Sequence, residues 1–196
     1  CTLRDDLLLE VKRLVDQGDI DGIVIESSGI SEPIPVAQTF TYEDLDSAID
    51  LSQVTKINAT VTVIDGYRFL KDFESGESLI ERRQAVDETD VREVVDLLVD
   101  QVEFADIIVL NKVDRLTPEE RHTVIGYLKA LNPVARLIET TYGQVDPTEI
   151  LDVDLFDFEL AAASAGWIRE LNAEAHLPET EEYGISSFVY KRDVPF

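Results

Sequence analysis

The amino-acid sequence predicts an α/β fold in which a mostly parallel sheet carries helices on both faces. Apolar runs of strand length alternate with segments of helical periodicity, and polar clusters follow directly after three of the runs. Such alternation is typical of βαβ units, whose right-handed crossovers make the strands parallel. Ligands of these folds bind at the carboxyl ends of the strands, so the polar clusters mark the expected site.

The first half of the chain is predicted to contain one long helix and two strands. Leucines and valines recur at helical spacing over residues 3–17, and Gly18 is a typical stop. Residues 20–25 (IDGIVI) end in an apolar run, and residues 57–64 (INATVTVI) are rich in β-branched side chains. We expect a short buried parallel strand at each, with two weakly helical stretches between them up to Leu51.

The second half repeats the alternation. Valines at helical spacing predict a helix over residues 90–104, and the apolar run at 106–110 (DIIVL) predicts the third strand. The sequence Thr-Pro-Glu-Glu at 117–120 is a capping-box start for a helix that ends at Leu131. Residues 134–139 (VARLIE) predict the fourth strand.

Composition argues against several classes of partner. Among 196 residues, 17 are Lys or Arg and 41 are Asp or Glu, which gives a formal net charge of −24. This field repels nucleic-acid backbones and anionic lipid headgroups, so we expect neither nucleic acid nor a membrane as partner. The single cysteine cannot form an intramolecular disulfide, and the start has no signal-peptide pattern, so the expected location is the cytoplasm.

The sharpest chemical signal is Asn-Lys-X-Asp at residues 111–114, directly after the third predicted strand. Guanine presents donors at N1 and N2, and the carboxylate of Asp114 can accept both. Asn111 either meets the acceptor side of the base or tethers a neighbouring loop, and the stem of Lys112 can lie across the purine. Because adenine reverses the donor and acceptor pattern, this motif predicts a preference for GTP over ATP.

A second cluster, ESSG at residues 26–29, follows the first predicted strand. The Glu26 carboxylate can hold Mg²⁺ through water, and Gly29 lets its backbone N–H approach a terminal phosphate. An ordinary turn after a strand can have the same sequence without any catalytic role. Together with Asn-Lys-X-Asp, the cluster is interpreted as catalytic.

Three longer segments resemble the CobW-type metallochaperone GTPases, relatives of the nickel-inserting HypB and UreG GTPases. These segments are CTLRDDL at the start, ESSGISEP at 26–33 and QVEFADIIVLNKVD at 101–114; TYGQV at 141–145 and HLPETEEYGISSF at 176–188 extend the resemblance over nearly the whole chain. The resemblance implies a P-loop NTPase fold, GTP hydrolysis with Mg²⁺, and handling of zinc or cobalt for delivery to a client protein. We also allow for a homodimer.

The resemblance further implies roles for single residues. Thr141 and Gly143 would join the guanine site, and hydrolysis would switch the segment that contains Ser31 and Glu32. Cys1 matches the last cysteine of the family's Cys-X-Cys-Cys motif and would be a metal ligand. The best candidate for an additional ligand is His176, at the head of HLPETEEYG, although the sequence slightly favours an ordinary surface histidine.

The family's Walker A loop, G-x-x-x-x-G-K-[ST], does not occur in the 196 residues. We therefore expect residues 1–187 to be a partial GTPase domain without its N-terminal strand and phosphate loop, inactive on its own, and residues 188–196 to begin a truncated C-terminal domain. Two other functions stay open. One is a nucleotide-regulated interaction module without metal transfer, and the other is an acidic scaffold with a decayed nucleotide site.

Overall fold

The computed structural model describes residues 2–27, 29, 33–41, 51–52, 54–74 and 94–163. Its helices are α1 (Thr2–Gln17), α2 (Pro33–Thr41), α3 (Gly66–Glu74), α4 (Val94–Glu103), α5 (Pro118–Leu131) and α6 (Phe158–Ala162). Its strands are β1 (Val61–Asp65), β2 (Ile107–Asn111) and β3 (Arg136–Glu139), and short 3₁₀ turns lie at Val113–Arg115 and Pro147–Glu149. No helix in these ranges is long and apolar enough to cross a membrane.

The three strands form one parallel sheet in the order β1-β2-β3. The sheet type predicted from the alternating pattern is thereby confirmed. Asp65 pairs in register with Asn111, and Leu110 pairs with Glu139. The carboxyl ends of all three strands therefore meet at one edge of the sheet.

One face of the sheet is covered by three helices. Ile64, Ile108 and Leu110 project from that face into a buried cluster with side chains of α3, α4 and α5, namely Phe69, Val102, Val124 and Leu128. Burial of each such side chain stabilises the fold by about 1.5–3 kcal/mol. The continuous apolar run of β2 is buried on both faces, as a central parallel strand requires.

The strand predicted at residues 20–25 is wrong. These residues have no regular secondary structure, and the side chain of Val24 is 81% exposed. A strand needs a neighbour for its ladder hydrogen bonds. Within the described residues β1 pairs only with β2, so the run has no strand beside it, and Val63 of β1 is also exposed.

The strand predicted at residues 57–64 begins only at Val61, because Asn58 pairs with a distant segment. Its carbonyl accepts from the N–H groups of Leu155 and Phe156, at 2.8 and 3.1 Å. Its side-chain amide donates to the carbonyl of Ile150 at 2.9 Å and accepts from Asp154 N at 2.9 Å. The chain at 150–156 therefore lies against Asn58 where the ladder would otherwise continue.

Asn132 holds together the ends of two helices and the start of β3. It is 5% exposed, and its amide nitrogen lies 2.9 Å from the carbonyl oxygen of Val102 and 2.8 Å from that of Ala105. Its side-chain oxygen accepts from the N–H groups of Val134 and Ala135. Those two N–H groups are thereby withdrawn from the ladder, which is why the strand predicted at 134–139 begins at residue 136.

The capping box predicted for α5 is confirmed. Thr117 Oγ1 accepts from Glu120 N at 3.2 Å, and the Glu120 carboxylate accepts from Thr117 N at 2.8 Å. The latter hydrogen bond lowers the pKa of Glu120. This support for the helix is present above the ordinary carboxyl pKa and is lost as acid protonates the group.

The remaining differences concern helix bounds and residues that lie outside the described ranges. The helix predicted at 90–104 is described from residue 94. Of the two stretches expected before Leu51, one is α2, and residues 42–50 lie outside the described ranges.

Candidate functional site

Asn111, the last residue of β2, ties together two parts of the predicted guanine site. Its side-chain oxygen accepts from Gly143 N at 3.1 Å and from the N–H of Lys112 at 2.8 Å. Gly143 and Tyr142 both have left-handed backbone conformations, with φ of 66° and 55°, and these form the tight turn that brings the Gly143 N–H inward. Of the two roles predicted for Asn111, the loop tether is the one observed.

Lys112 is fixed by its backbone and by an ion pair. It has a left-handed conformation (φ 61°, ψ 33°), and its Nζ lies 2.7 Å from Asp65 Oδ2. The other oxygen of Asp65 accepts from Tyr67 N and Arg68 N at the start of α3. Both partners of the ion pair are partly exposed, so its net stabilisation is small. Its effect is to hold the Lys112 stem along the carboxyl edge of the sheet.

Asp114 presents an available carboxylate. It lies exposed in the 3₁₀ turn at Val113–Arg115, and within the described part of the chain no hydrogen bond or ion pair occupies it. The turn is held in place by Val113 N, which donates to the carbonyl of Thr140 at 3.3 Å. A carboxylate in this state can accept two donors from one edge of a base.

Hydrogen bonds between its own residues fix the conformation of the loop after β3. Thr140 is buried, and its hydroxyl donates to the carbonyl of Gln144 at 2.8 Å. The carbonyl of Thr141 accepts from Gln144 N at 3.2 Å. The structure thus brings Asn111 and Gly143 into direct contact, and places Thr141 and Asp114 on the two short turns beside them.

Sequence reasoning missed Asp65 and Gly66, which complete this edge. Gly66 is buried, and a Cβ at this position would lie 3.0 Å from Asn111 O and 3.1 Å from side-chain carbons of Leu110 and Leu116. The contact with a backbone atom cannot be relieved by a rotamer change. The signal in the sequence was the Asp-Gly pair directly after a predicted strand.

Gly66→Ala is expected to lower the free energy of unfolding by about 1–3 kcal/mol, because the added methyl overpacks the contact with Asn111. The tether from Asn111 to Gly143 should weaken with it. Urea denaturation measures the first effect. Gly126→Ala is the matched control: among the described residues, no atom beyond its chain neighbours and its own helix backbone lies within 4 Å of its Cβ position, and alanine favours a helix interior. Equal stabilities for the two variants would contradict the close-approach argument.

The predicted catalytic residues lie apart from this cluster. Glu26 is exposed in irregular chain and makes no hydrogen bond or ion pair with any described residue. The carbonyl of Gly29 accepts from Gln101 Nε2 of α4 at 3.0 Å. No described contact joins either residue to Asn111, Lys112 or Asp114.

The predicted metal and switch residues cannot be placed in this arrangement. Cys1, Ser31, Glu32 and His176 lie outside the described residues. Among those that are described, no three His, Cys, Asp or Glu side chains form a group able to hold a metal ion.

Comparison with known proteins gives a consistent family match. The family model described as "CobW/HypB/UreG, nucleotide-binding domain" matches residues 1–154. The chain is 47% identical over all 196 residues to the zinc-regulated GTPase metalloprotein activator 1 of Dictyostelium discoideum. It is 27% identical over 150 residues, 74% of the chain, to the zinc chaperone CobW of Pseudomonas aeruginosa.

A solved structure shows the same fold. The Zn(II)-bound YjiA GTPase from E. coli matches 78% of this chain and 41% of its own, with a TM-score of 0.54 and 23% identity. The present chain spans 41% of the Dictyostelium protein and 38% of the Pseudomonas protein. The matched region is therefore less than half of either relative.

Proposed function

Because the chain belongs to the CobW/HypB/UreG nucleotide-binding family, we propose that the protein binds and hydrolyses GTP and uses the cycle to handle zinc for a client protein. The main supporting observation is the arrangement at the carboxyl edge of the sheet. There Asn111 accepts a hydrogen bond from Gly143, and the carboxylate of Asp114 is available to a ligand. Guanine supplies the two donors that such a carboxylate accepts. The site therefore favours GTP over ATP.

In the proposed guanine site each side chain has a separate task. Asp114 accepts from N1 and N2 of the base. Lys112 lies over the purine face with its ammonium held by Asp65, which keeps the stem from turning away. Asn111 accepts from the Gly143 N–H and so fixes the loop that contains Thr141 and Gly143, and the remaining backbone N–H groups of this loop can donate to the acceptor side of the base.

For hydrolysis, we propose that Glu26 and Gly29 act at the phosphate end. The exposed Glu26 carboxylate, with no protein partner among the described residues, fits a group that holds Mg²⁺ through water. Mg²⁺, when bound, would neutralise charge on the phosphates. Gly29 would donate its N–H to the terminal phosphate. The phosphate cradle itself is proposed to lie outside these 196 residues, since they contain no Walker A sequence.

Zinc is preferred over cobalt as the transported metal because the names of the relatives refer to zinc. Cys1 would supply one thiolate, a ligand type that suits zinc. His176 is the proposed additional ligand. The segment with Ser31 and Glu32 would change its arrangement on hydrolysis and so connect the nucleotide state to metal release.

Zinc titration of GTP turnover by the full-length protein tests this function. Zinc should change turnover in wild type and in His122→Ala, a control at an exposed histidine of α5. Cys1→Ala and His176→Ala should each lose the zinc response.

Three results would contradict parts of the proposal. GTP turnover that ignores zinc in wild type would favour the interaction module without metal transfer. A full zinc response in Cys1→Ala would remove Cys1 from the site. Failure of the full-length protein to bind guanine nucleotide would favour the acidic scaffold.

A further inference from the structure

The turn that contains Asp114 is joined to the start of α3 by side chains on both sides of that residue. On one side, Lys112 Nζ lies 2.7 Å from Asp65 Oδ2. On the other, the guanidinium carbon of Arg115 lies 4.2 Å from the centroid of the Tyr67 ring. Asp65 and Tyr67 are themselves connected, because Asp65 Oδ1 accepts from Tyr67 N at 3.1 Å. The proposed function assigns no task to Arg115 or Tyr67.

Arg115 places its charge over an aromatic ring although carboxylates are abundant. The chain has 41 acidic residues, and Asp114 precedes Arg115 directly. Within the described part of the chain, the Arg115 guanidinium nevertheless forms no ion pair, and the Tyr67 ring is its partner. The ring quadrupole attracts a cation above its face, and the planar guanidinium matches that face in shape. The side chain of Arg115 is thereby directed to α3.

Backbone hydrogen bonds connect the upstream end of the turn to the rest of the site. Val113 N donates to the carbonyl of Thr140, whereas the N–H groups of Arg115 and Leu116 donate to carbonyls three residues earlier, in the same turn. At the downstream end, side chains make the described contacts with α3: Leu116 lies beside its first residue, and Arg115 lies over Tyr67. An apolar contact has no preferred direction, but a cation over a ring face has one. The contact with Tyr67 therefore restricts rotation of the turn.

We infer that Tyr67 is a positioning residue for guanine recognition: its ring holds the Arg115 guanidinium and so fixes the orientation of the turn in which Asp114 accepts from N1 and N2 of the base. The inference rests on the proposed guanine site. Both oxygens of the carboxylate must face the same edge of the base, so a turn that rotates loses one of the two hydrogen bonds. Adenine does not present these two donors, and its binding does not depend on this orientation.

The contact with Tyr67 limits the size of the effect. An interaction can shift an equilibrium between two orientations by no more than its differential free energy. The Tyr67 ring is 40% exposed, and a cation–π contact at such a site corresponds to a factor of about two to five in an equilibrium constant. Loss of the contact should therefore weaken GTP binding by that factor and leave ATP binding unchanged.

The test measures the affinities of the full-length protein for GTP and ATP and compares their ratio between variants. A change of charge that acts on the phosphates alters both affinities alike, so the ratio reports recognition of the base. Tyr67→Leu and Arg115→Leu should each lower the ratio of GTP to ATP affinity about two- to fivefold. Both side chains are exposed, so the stability in urea should stay close to that of wild type. Tyr67→Phe keeps the ring and should retain the wild-type ratio.

Lys71→Leu is the matched control. Lys71 Nζ lies 4.6 Å from the centroid of the same ring, and its removal changes the net charge as Arg115→Leu does, but Lys71 belongs to α3 and not to the turn. The ratio should stay at the wild-type value. The double variant Tyr67→Leu/Arg115→Leu should fall no further than the single variants, because both substitutions remove the same contact.

The outcomes separate the inference from the function beneath it. A lower ratio in both leucine variants, with no further loss in the double variant, supports the role of Tyr67. An unchanged ratio in either leucine variant, a Tyr67→Phe variant that behaves like Tyr67→Leu, or losses that multiply in the double variant overturn that role, while the proposed function stands as long as wild type prefers GTP. Failure of wild type to bind guanine nucleotide overturns the proposed function and this inference with it.

Discussion

Asp114→Asn is expected to weaken GTP binding by the full-length protein by about 10²-fold or more and to reduce its preference over ATP. The amide replaces one acceptor with an NH₂ donor, which would face the donors of guanine. Asp114 is exposed and has no described protein partner, so its loss should not disturb the fold. Competition between GTP and ATP for a fluorescent guanine nucleotide measures both effects.

A gain of binding makes this prediction specific. Xanthine has a carbonyl where guanine has its N2 amine, so the side-chain amide that the substitution introduces can donate to it. Asp114→Asn should therefore bind xanthosine triphosphate better than wild type does. The corresponding change at the exposed Asp152 should alter none of these affinities. Wild-type competition by ATP as strong as by GTP would refute the assignment of Asp114.

Asn132→Ala should lower the free energy of unfolding by about 3 kcal/mol. The substitution leaves carbonyls at the end of α4, including that of Val102, and the N–H groups of Val134 and Ala135 without their side-chain partner. The hydrogen bonds to the carbonyls of Val102 and Ala105 are buried, so water cannot replace them freely. Urea denaturation of the full-length protein measures the loss.

The variant Asn132→Asp distinguishes the contribution of the side-chain NH₂ donor from that of the side-chain oxygen acceptor. It keeps the oxygen that Val134 and Ala135 use but presents a negative carboxylate to carbonyl oxygens, so it should destabilise the protein at least as much at neutral pH. His122→Ala on the exposed side of α5 should change stability by less than about 0.5 kcal/mol. A similar small effect for Asn132→Ala would contradict its proposed structural role.

The sequence predicted two kinds of element correctly: a strand in the centre of the sheet, and a helix start fixed by residues that are close together in the chain. The run before Asn111 is buried on both faces, and such a run is apolar throughout, so its strand was recognisable. The capping box of Thr117 and Glu120 lies within four residues and could be predicted for the same reason.

Most of the wrong predictions concern contacts with distant parts of the chain. An apolar run does not state which strand lies beside it, and residues 20–25 have none among those described. Asn58 shortens one strand through a contact with a segment 92 residues away. Asn132 shortens β3 locally, because its side-chain oxygen accepts from the N–H groups two and three residues further along the chain. Asp65 is one of 41 acidic residues, which favours a solvated side chain from the sequence alone, whereas the structure pairs it in register with Asn111 and joins its carboxylate to Lys112.

The parallel register also has a consequence for the order of folding. No hairpin joins any two of the described strands, and the β1–β2 and β2–β3 pairings close loops of 46 and 29 residues. Loop-closure entropy favours the shorter loop by only about 0.4 kcal/mol, too little to fix a sequence of events. The capped α5 fills much of the shorter crossover, so local helix formation favours β2, α5 and β3 as the early folding nucleus. Substitutions in α5 should then change the folding rate, whereas those in β1 should change mainly the unfolding rate.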